Sequence, residues 1–200
     1  MRTVPPSALR RILAAAERLF AERGFDGVSI ADIARDARVS KANVFHHFAG
    51  KQALYERVLA GACARLDAGA ASTSKAEADS GPAVRIARAV AGCRDALHAH
   101  PSMRGLLLHE LARSDRSEAG PVPAVLARLR EDFVAELQQA RDRGELRIDA
   151  DTGAAASMLL GVLLFGTAVA LARATRADDD SRTYAPIDAL LDCLLRSRVA

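Results

Sequence analysis

The segment from Ser29 to Phe48 leaves the chain little freedom of fold. Ser29-Ile30-Ala31-Asp32 has the form of a capping box. The serine oxygen can accept from the backbone N–H three residues on, and the carboxylate there can reach back to the serine N–H. Ser40 opens a second helix after only Ala37-Arg38-Val39, with Val39 and Val44 placed for a hydrophobic staple. Two capped helices this close cannot run into each other. They must cross, held by the apolar residues between them, here Ile33, Ala34, Val39, Val44 and Phe48. The spacing predicts a helix-turn-helix. The outer face of its second helix carries Lys41, Ala42, Asn43 and His47, small or polar residues that suit the DNA major groove. A helical hairpin with no nucleic-acid role would use the same caps and the same inner face.

The remaining sequence reads as helix as well. Alanine, leucine, arginine and glutamate dominate, and no run of alternating β-branched residues stands out. A first helix starts after Ser7 as N-cap, with Leu9, Ile12, Leu13, Ala16, Leu19 and Phe20 as one apolar stripe and Gly24 just past its end. A fourth helix runs from about Lys51, burying Leu54, Tyr55, Val58, Leu59 and Leu66. Small and polar residues from Ala68 to Pro82 predict a helix end and a loop. Five more helices are expected at roughly 82–99, 101–114, 121–143, 151–175 and 184–198, with Pro82, Pro101 and Pro121 at their starts. The expected fold is all-α with about nine helices. A chain of 200 residues, half of them apolar, buries enough core to fold without disulfides or a metal.

Charge is unevenly placed. Residues 1–51 hold nine Lys/Arg against five Asp/Glu, and the remainder holds nineteen against twenty. The surplus suggests that the N-terminal quarter meets a polyanion, although four charges alone are weak evidence. The first residues lack the apolar core of a secretory signal. Cys63, Cys93 and Cys193 form no framework spacing and no CxxC, which fits a reducing cytoplasm.

Taken together, Ile12 to Phe25, Ser29 to Ala34, Val39 to Phe48 and Lys51 to Tyr55 resemble the tetracycline-repressor (TetR) family of bacterial transcription regulators. The likeness covers about a quarter of the chain, and phase, caps and spacing agree over four helices. It implies a three-helix DNA-binding domain over residues 1–51, a linking helix at about 51–68, and a helical effector-binding and dimerisation domain over 69–200. Carried over position by position, it implies that Ser29 contacts phosphate, and that Lys41, Ala42 and Asn43, behind the Ser40 cap, read bases. Asn43 suits an adenine edge and Ala42 a thymine methyl, although Asn43 can equally do no more than cap its own helix. His47 and Lys51 resemble backbone contacts. Phe45 stands where the family usually has tyrosine, so one phosphate bond is missing and the ring is left to pack on the sugar. Arg38 stands where glycine is common, which strains the turn and offers another cation to phosphate. The chain has three lysines, and Lys41 and Lys51 are two of them.

The resemblance further implies a homodimer on a palindromic operator, formed through helices at about 151–175 and 184–198 and released from DNA by a small-molecule effector. Two-fold symmetry would set recognition helices about 34 Å apart, one DNA turn. Residues 154–172 carry no charge and approach the length of a membrane span. Burial in a subunit interface is the favoured reading, because Arg173 and Arg176 follow and no second span exists. Effector candidates are Arg94, His98, Met103, Leu107, His109 and Phe133, each of which also reads as an ordinary core or surface residue. No catalytic constellation, phosphate loop or cofactor motif is found. His98 and His100 fall on different faces of a helix, so no metal site is expected.

Overall fold

A computed structural model describes residues 7–72, 80–113, 120–146, 151–173 and 185–195. Its helices are α1 (Ala8–Arg23), α2 (Ile30–Asp36), α3 (Lys41–His47), α4 (Lys51–Ser72), α5 (Pro82–Ala99), α6 (Pro101–Leu111), α7 (Pro121–Asp142), α8 (Thr152–Arg173) and α9 (Ala185–Leu194). Among the described residues there is no strand, only one antiparallel bridge between Leu146 and Leu195. The all-α expectation holds. The predicted ends of the last two helices, 174–175 and 196–198, lie outside the described residues.

The chain forms two compact units. The first comprises residues 1–64 and 100–123, the second 65–99 and 124–200. Helix α6, which the sequence reading assigns to the second domain, therefore belongs with the N-terminal helices.

In the first unit α1 packs on α2, α3 and, most extensively, α6. The predicted stripe of α1 is buried at Ile12, Ala16, Leu19 and Phe20. Ser7 caps its start by accepting from Arg10 N at 3.3 Å. Gly24 ends it at φ 68°, a left-handed conformation that glycine adopts without steric cost. Ile33 and Val44 close the angle between α2 and α3 from inside. From α6, Met103, Leu106 and Leu107 are fully buried, and Ser102 Oγ donates to Glu17 of α1 at 3.1 Å.

In the second unit the end of α4 packs with α5, and Ile86, Val90, Cys93, Leu97, Leu129, Phe133, Leu159 and Leu163 are buried. Helix α4 runs one turn beyond the predicted end at about residue 68. The reason is tertiary: a Cβ at Gly69 would lie 2.6 Å from the Gly92 carbonyl and 3.0 Å from Ala96 Cβ of α5. The missing side chain that weakens the helix locally is what lets two backbones meet. Burial pushes the Cys63 thiol up to about 11 and the Cys93 thiol up to about 12, so both stay protonated and inert.

Gly69→Ala tests that crossing. An isolated helix would gain about 1 kcal/mol from alanine. The clash with α5 is expected to outweigh this and lower stability by about 1–3 kcal/mol, read as a drop in the thermal midpoint by circular dichroism.

Candidate nucleic-acid interface

Three short stretches build the interface, and each is fixed by local chemistry. At the start of α2 the capping box is complete: Ser29 Oγ accepts from Asp32 N at 3.2 Å, while Ser29 N donates to Asp32 Oδ2 at 3.1 Å. The Ser29 hydroxyl also donates to Asp32 at 2.5 Å. These two donors hold the Asp32 carboxyl below its ordinary range, the hydroxyl contributing most. Both Ser29 donors are thus engaged, and a phosphate arriving there would have to displace Asp32. Arg18 of α1 braces the other end of α2 through an ion pair with Asp36.

Between α2 and α3 the chain reverses at Arg38, whose φ of 54° is positive. For an L-residue this conformation costs roughly 1–2 kcal/mol. Arg38 is exposed and, with Arg11 and Arg18, lines an open groove of about 880 Å³ against α1 and the start of α6. The reversal brings Val39 N to Ala34 O at 3.0 Å. Ser40 then caps α3 by accepting from Asn43 N at 3.1 Å.

Helix α3 buries Val44 and turns Lys41, Ala42, Phe45 and His47 outward. Phe45 is 54% exposed, a large apolar ring facing solvent. Asn43 is half-buried, and its Oδ1 is covered without a hydrogen-bond partner. A desolvated, unpaired amide oxygen costs about 1–3 kcal/mol. Rotation of the side chain toward a donor on a base edge would remove that cost.

Lys51 opens α4, with its ammonium 4.1 Å from the centre of the Phe25 ring. Phe25 sits in an aromatic cluster. Its ring centre lies 4.9 Å from that of Tyr55, and Tyr55 stands edge-on to Phe20, also at 4.9 Å. Tyr55 is fully buried and donates its hydroxyl to Glu110 Oε2 at 2.8 Å, the buried carboxylate of α6. The Arg113 guanidinium lies 4.6 Å from the Phe25 centre. The sequence reading assigned no role to Phe25, Glu110 or Arg113. The aromatic residue just after the first helix was the available signal, but its partners lie in distant sequence.

The family model for bacterial regulatory proteins of the tetR family matches residues 12–58, a span that contains the three stretches from Ser29 to Lys51. That segment is also 38% identical over 47 residues to IcaR, the negative transcriptional regulator of the biofilm operon icaADBC in Staphylococcus aureus. That alignment spans 24% of the present chain and 25% of IcaR. Beyond that segment the likeness is one of fold. PfmR, a TetR family regulator from Thermus thermophilus, superimposes with a TM-score of 0.74 at 23% identity, over 97% of this chain and 100% of that one. The ketosteroid transcriptional regulator KstR2 of Mycobacterium tuberculosis gives 0.75 at 20% identity, over 98% and 100%.

The effector candidates fall in different places. Met103 and Leu107 are core residues of the first unit, and His109 packs beside Gly24 there. In the second unit Arg94 pairs with Asp95 at 3.2 Å, and His98 is exposed near the end of α5. Phe133 lines a cavity of about 390 Å³ bounded by α4, α5 and α7. Two ion pairs flank that cavity, Asp67 with Arg128 and Arg85 with Glu136, the latter at 2.7 Å. The Glu136 carboxylate holds the Arg85 guanidinium above its ordinary range. Arg85 also donates to Gln139 Oε1 at 2.8 Å and to the Ser80 carbonyl at 2.6 Å. No group of three or more His, Cys, Asp or Glu able to hold a metal occurs among the described residues. Nor is any described helix long and apolar enough to cross a membrane.

Replacing Arg38 by glycine separates strain from charge. Relief of the left-handed turn, offset in part by the freer unfolded chain, is expected to raise stability by about 0.5–1 kcal/mol. The thermal midpoint should therefore rise. A lower midpoint would show that the turn carries no strain.

Proposed function

We propose that the protein is a ligand-responsive DNA-binding transcriptional regulator, a repressor that binds a palindromic operator as a homodimer in the cytoplasm. The observation that carries this reading is the outer face of α3. Lys41, Ala42, Phe45 and His47 are exposed together on a helix held by caps and a buried Val44, inside the segment that the tetR family model matches.

In this reading Lys51, His47 and Arg38 meet the phosphate backbone, which supplies salt-dependent affinity, and Lys41, Ala42 and Asn43 read bases behind the Ser40 cap. The Ser29 hydroxyl joins them only if phosphate displaces Asp32. Helix α8 supports the dimer. Met158 and Phe165 are 56% and 53% exposed, and Gly161 has open space where a Cβ would stand. Their spacing puts all three on one face, an apolar surface that a second copy would cover. The cavity beside Phe133 is the proposed effector site. Its flanking ion pairs are already satisfied, so a ligand there would bind mainly by apolar contact with Phe133, Leu129 and neighbouring alanines. A ligand that prefers the state unable to grip DNA weakens binding by that difference in affinity. The IcaR name, a negative regulator, supports repression over activation.

Asn43→Ala is expected to weaken binding by about 1–3 kcal/mol on the preferred duplex and to relax preference at one position per half-site. Equal loss on every base variant would assign Asn43 no part in reading sequence. The dimer is tested by sedimentation. The wild-type chain should run at twice its monomer mass at micromolar concentration, and Phe165→Glu should shift it toward monomer with helicity unchanged.

A further inference from the structure

Lys51 occupies an electrostatically poor position. It stands in the first turn of α4, which contains no acidic residue. The partial positive charge of a helix N-terminus disfavours a cation there. What faces the ammonium is the Phe25 ring, with 4.1 Å from Nζ to the ring centre. The negative face of the ring quadrupole attracts a cation without using its N–H donors.

Phe25 is itself held in place. Tyr55 contacts it at 4.9 Å, Phe20 lies 6.1 Å away in a stacked orientation, and the Arg113 guanidinium is 4.6 Å from its centre. Tyr55 and Phe20 are fully buried, whereas Phe25 is half-buried. A residue needed only to fill space there would be served as well by leucine. A flat ring presented to an ammonium would not.

We propose that Phe25 is a positioning residue for DNA-backbone binding, holding the Lys51 ammonium over its ring where phosphate meets it. The proposal rests on the DNA-binding reading above. A lysine on its four-carbon stem loses rotamer freedom when it grips a phosphate. A ring that already confines the ammonium removes much of that loss and leaves the donors free. Phe25 would thereby carry part of the affinity without touching DNA.

The test uses the full chain and a duplex that the wild-type protein recovers from a random-sequence library, with binding followed by anisotropy over a range of KCl. Lys51→Ala should flatten the salt slope by about one unit per protomer. Phe25→Leu should lower affinity about 3–10-fold with the salt slope nearly unchanged, because the lysine still meets phosphate. Phe25→Tyr, which keeps the ring, should match wild type, and the Phe25→Leu/Lys51→Ala pair should be no worse than Lys51→Ala. In the free protein the Lys51 ε-methylene protons should resonate upfield through the ring current and return to the random-coil position in Phe25→Leu. Phe25→Met serves as a second ring-less variant should Phe25→Leu fail to fold.

Wild-type affinity in the ring-less variants, an additive double variant, which marks mere structural damage, or a random-coil Lys51 shift in the wild type would overturn the proposal. Recovery of no duplex from the library would instead bring down the DNA-binding reading and this proposal with it. The proton shift needs no DNA, so the two failures remain distinguishable.

Discussion

The exposed face of α3 depends on a reversal completed within Ala37-Arg38-Val39. The backbone achieves it by placing Arg38 in the left-handed region, at φ 54°. No other described non-glycine residue does so. The turn is held at both ends by interactions stronger than its strain. Val44 and Ile33 are fully buried between the helices, and Ser40 caps the second of them. Burial of one such side chain contributes about 1.5–3 kcal/mol, enough to offset a left-handed arginine. The cost is borne where a basic side chain stands beside the proposed recognition helix, a common place for strain to be retained.

A second constraint acts through α6. Its core side chains, together with the Tyr55 hydroxyl bond to buried Glu110, tie it to α1 and α4 within the first unit. A carboxylate this covered must be hydrogen-bonded, or burial would be prohibitive. Tyr55 supplies a donor, and its ring then braces Phe25. One buried polar contact on α6 thus reaches the ring that faces Lys51.

Much of this was legible from one chain because the signals were local. Serine caps, the capping-box aspartate, the apolar stripe of α1 and prolines at helix starts act over three or four residues, and the structure contains them. The α4 terminus was misjudged for the opposite reason. Gly69 reads as a helix breaker until its contact with Gly92 is seen. Of the six effector candidates, chosen by residue type along α5 to α7, Phe133 reached the cavity described here. Nothing in the local pattern tells whether Met103 faces a cavity or a closed core.

The sequence by itself determined the helices, the tight crossing of α2 and α3, and that Lys41, Ala42 and His47 face outward on α3. These follow from hydrogen bonds and periodicities a few residues long. Only the tertiary structure decided that α6 joins the N-terminal helices, that Lys51 lies over the Phe25 ring, and which residues flank the cavity. Those outcomes rest on contacts between residues far apart in the chain, such as Tyr55 with Glu110 and Arg85 with Glu136, whose pairing no local pattern encodes.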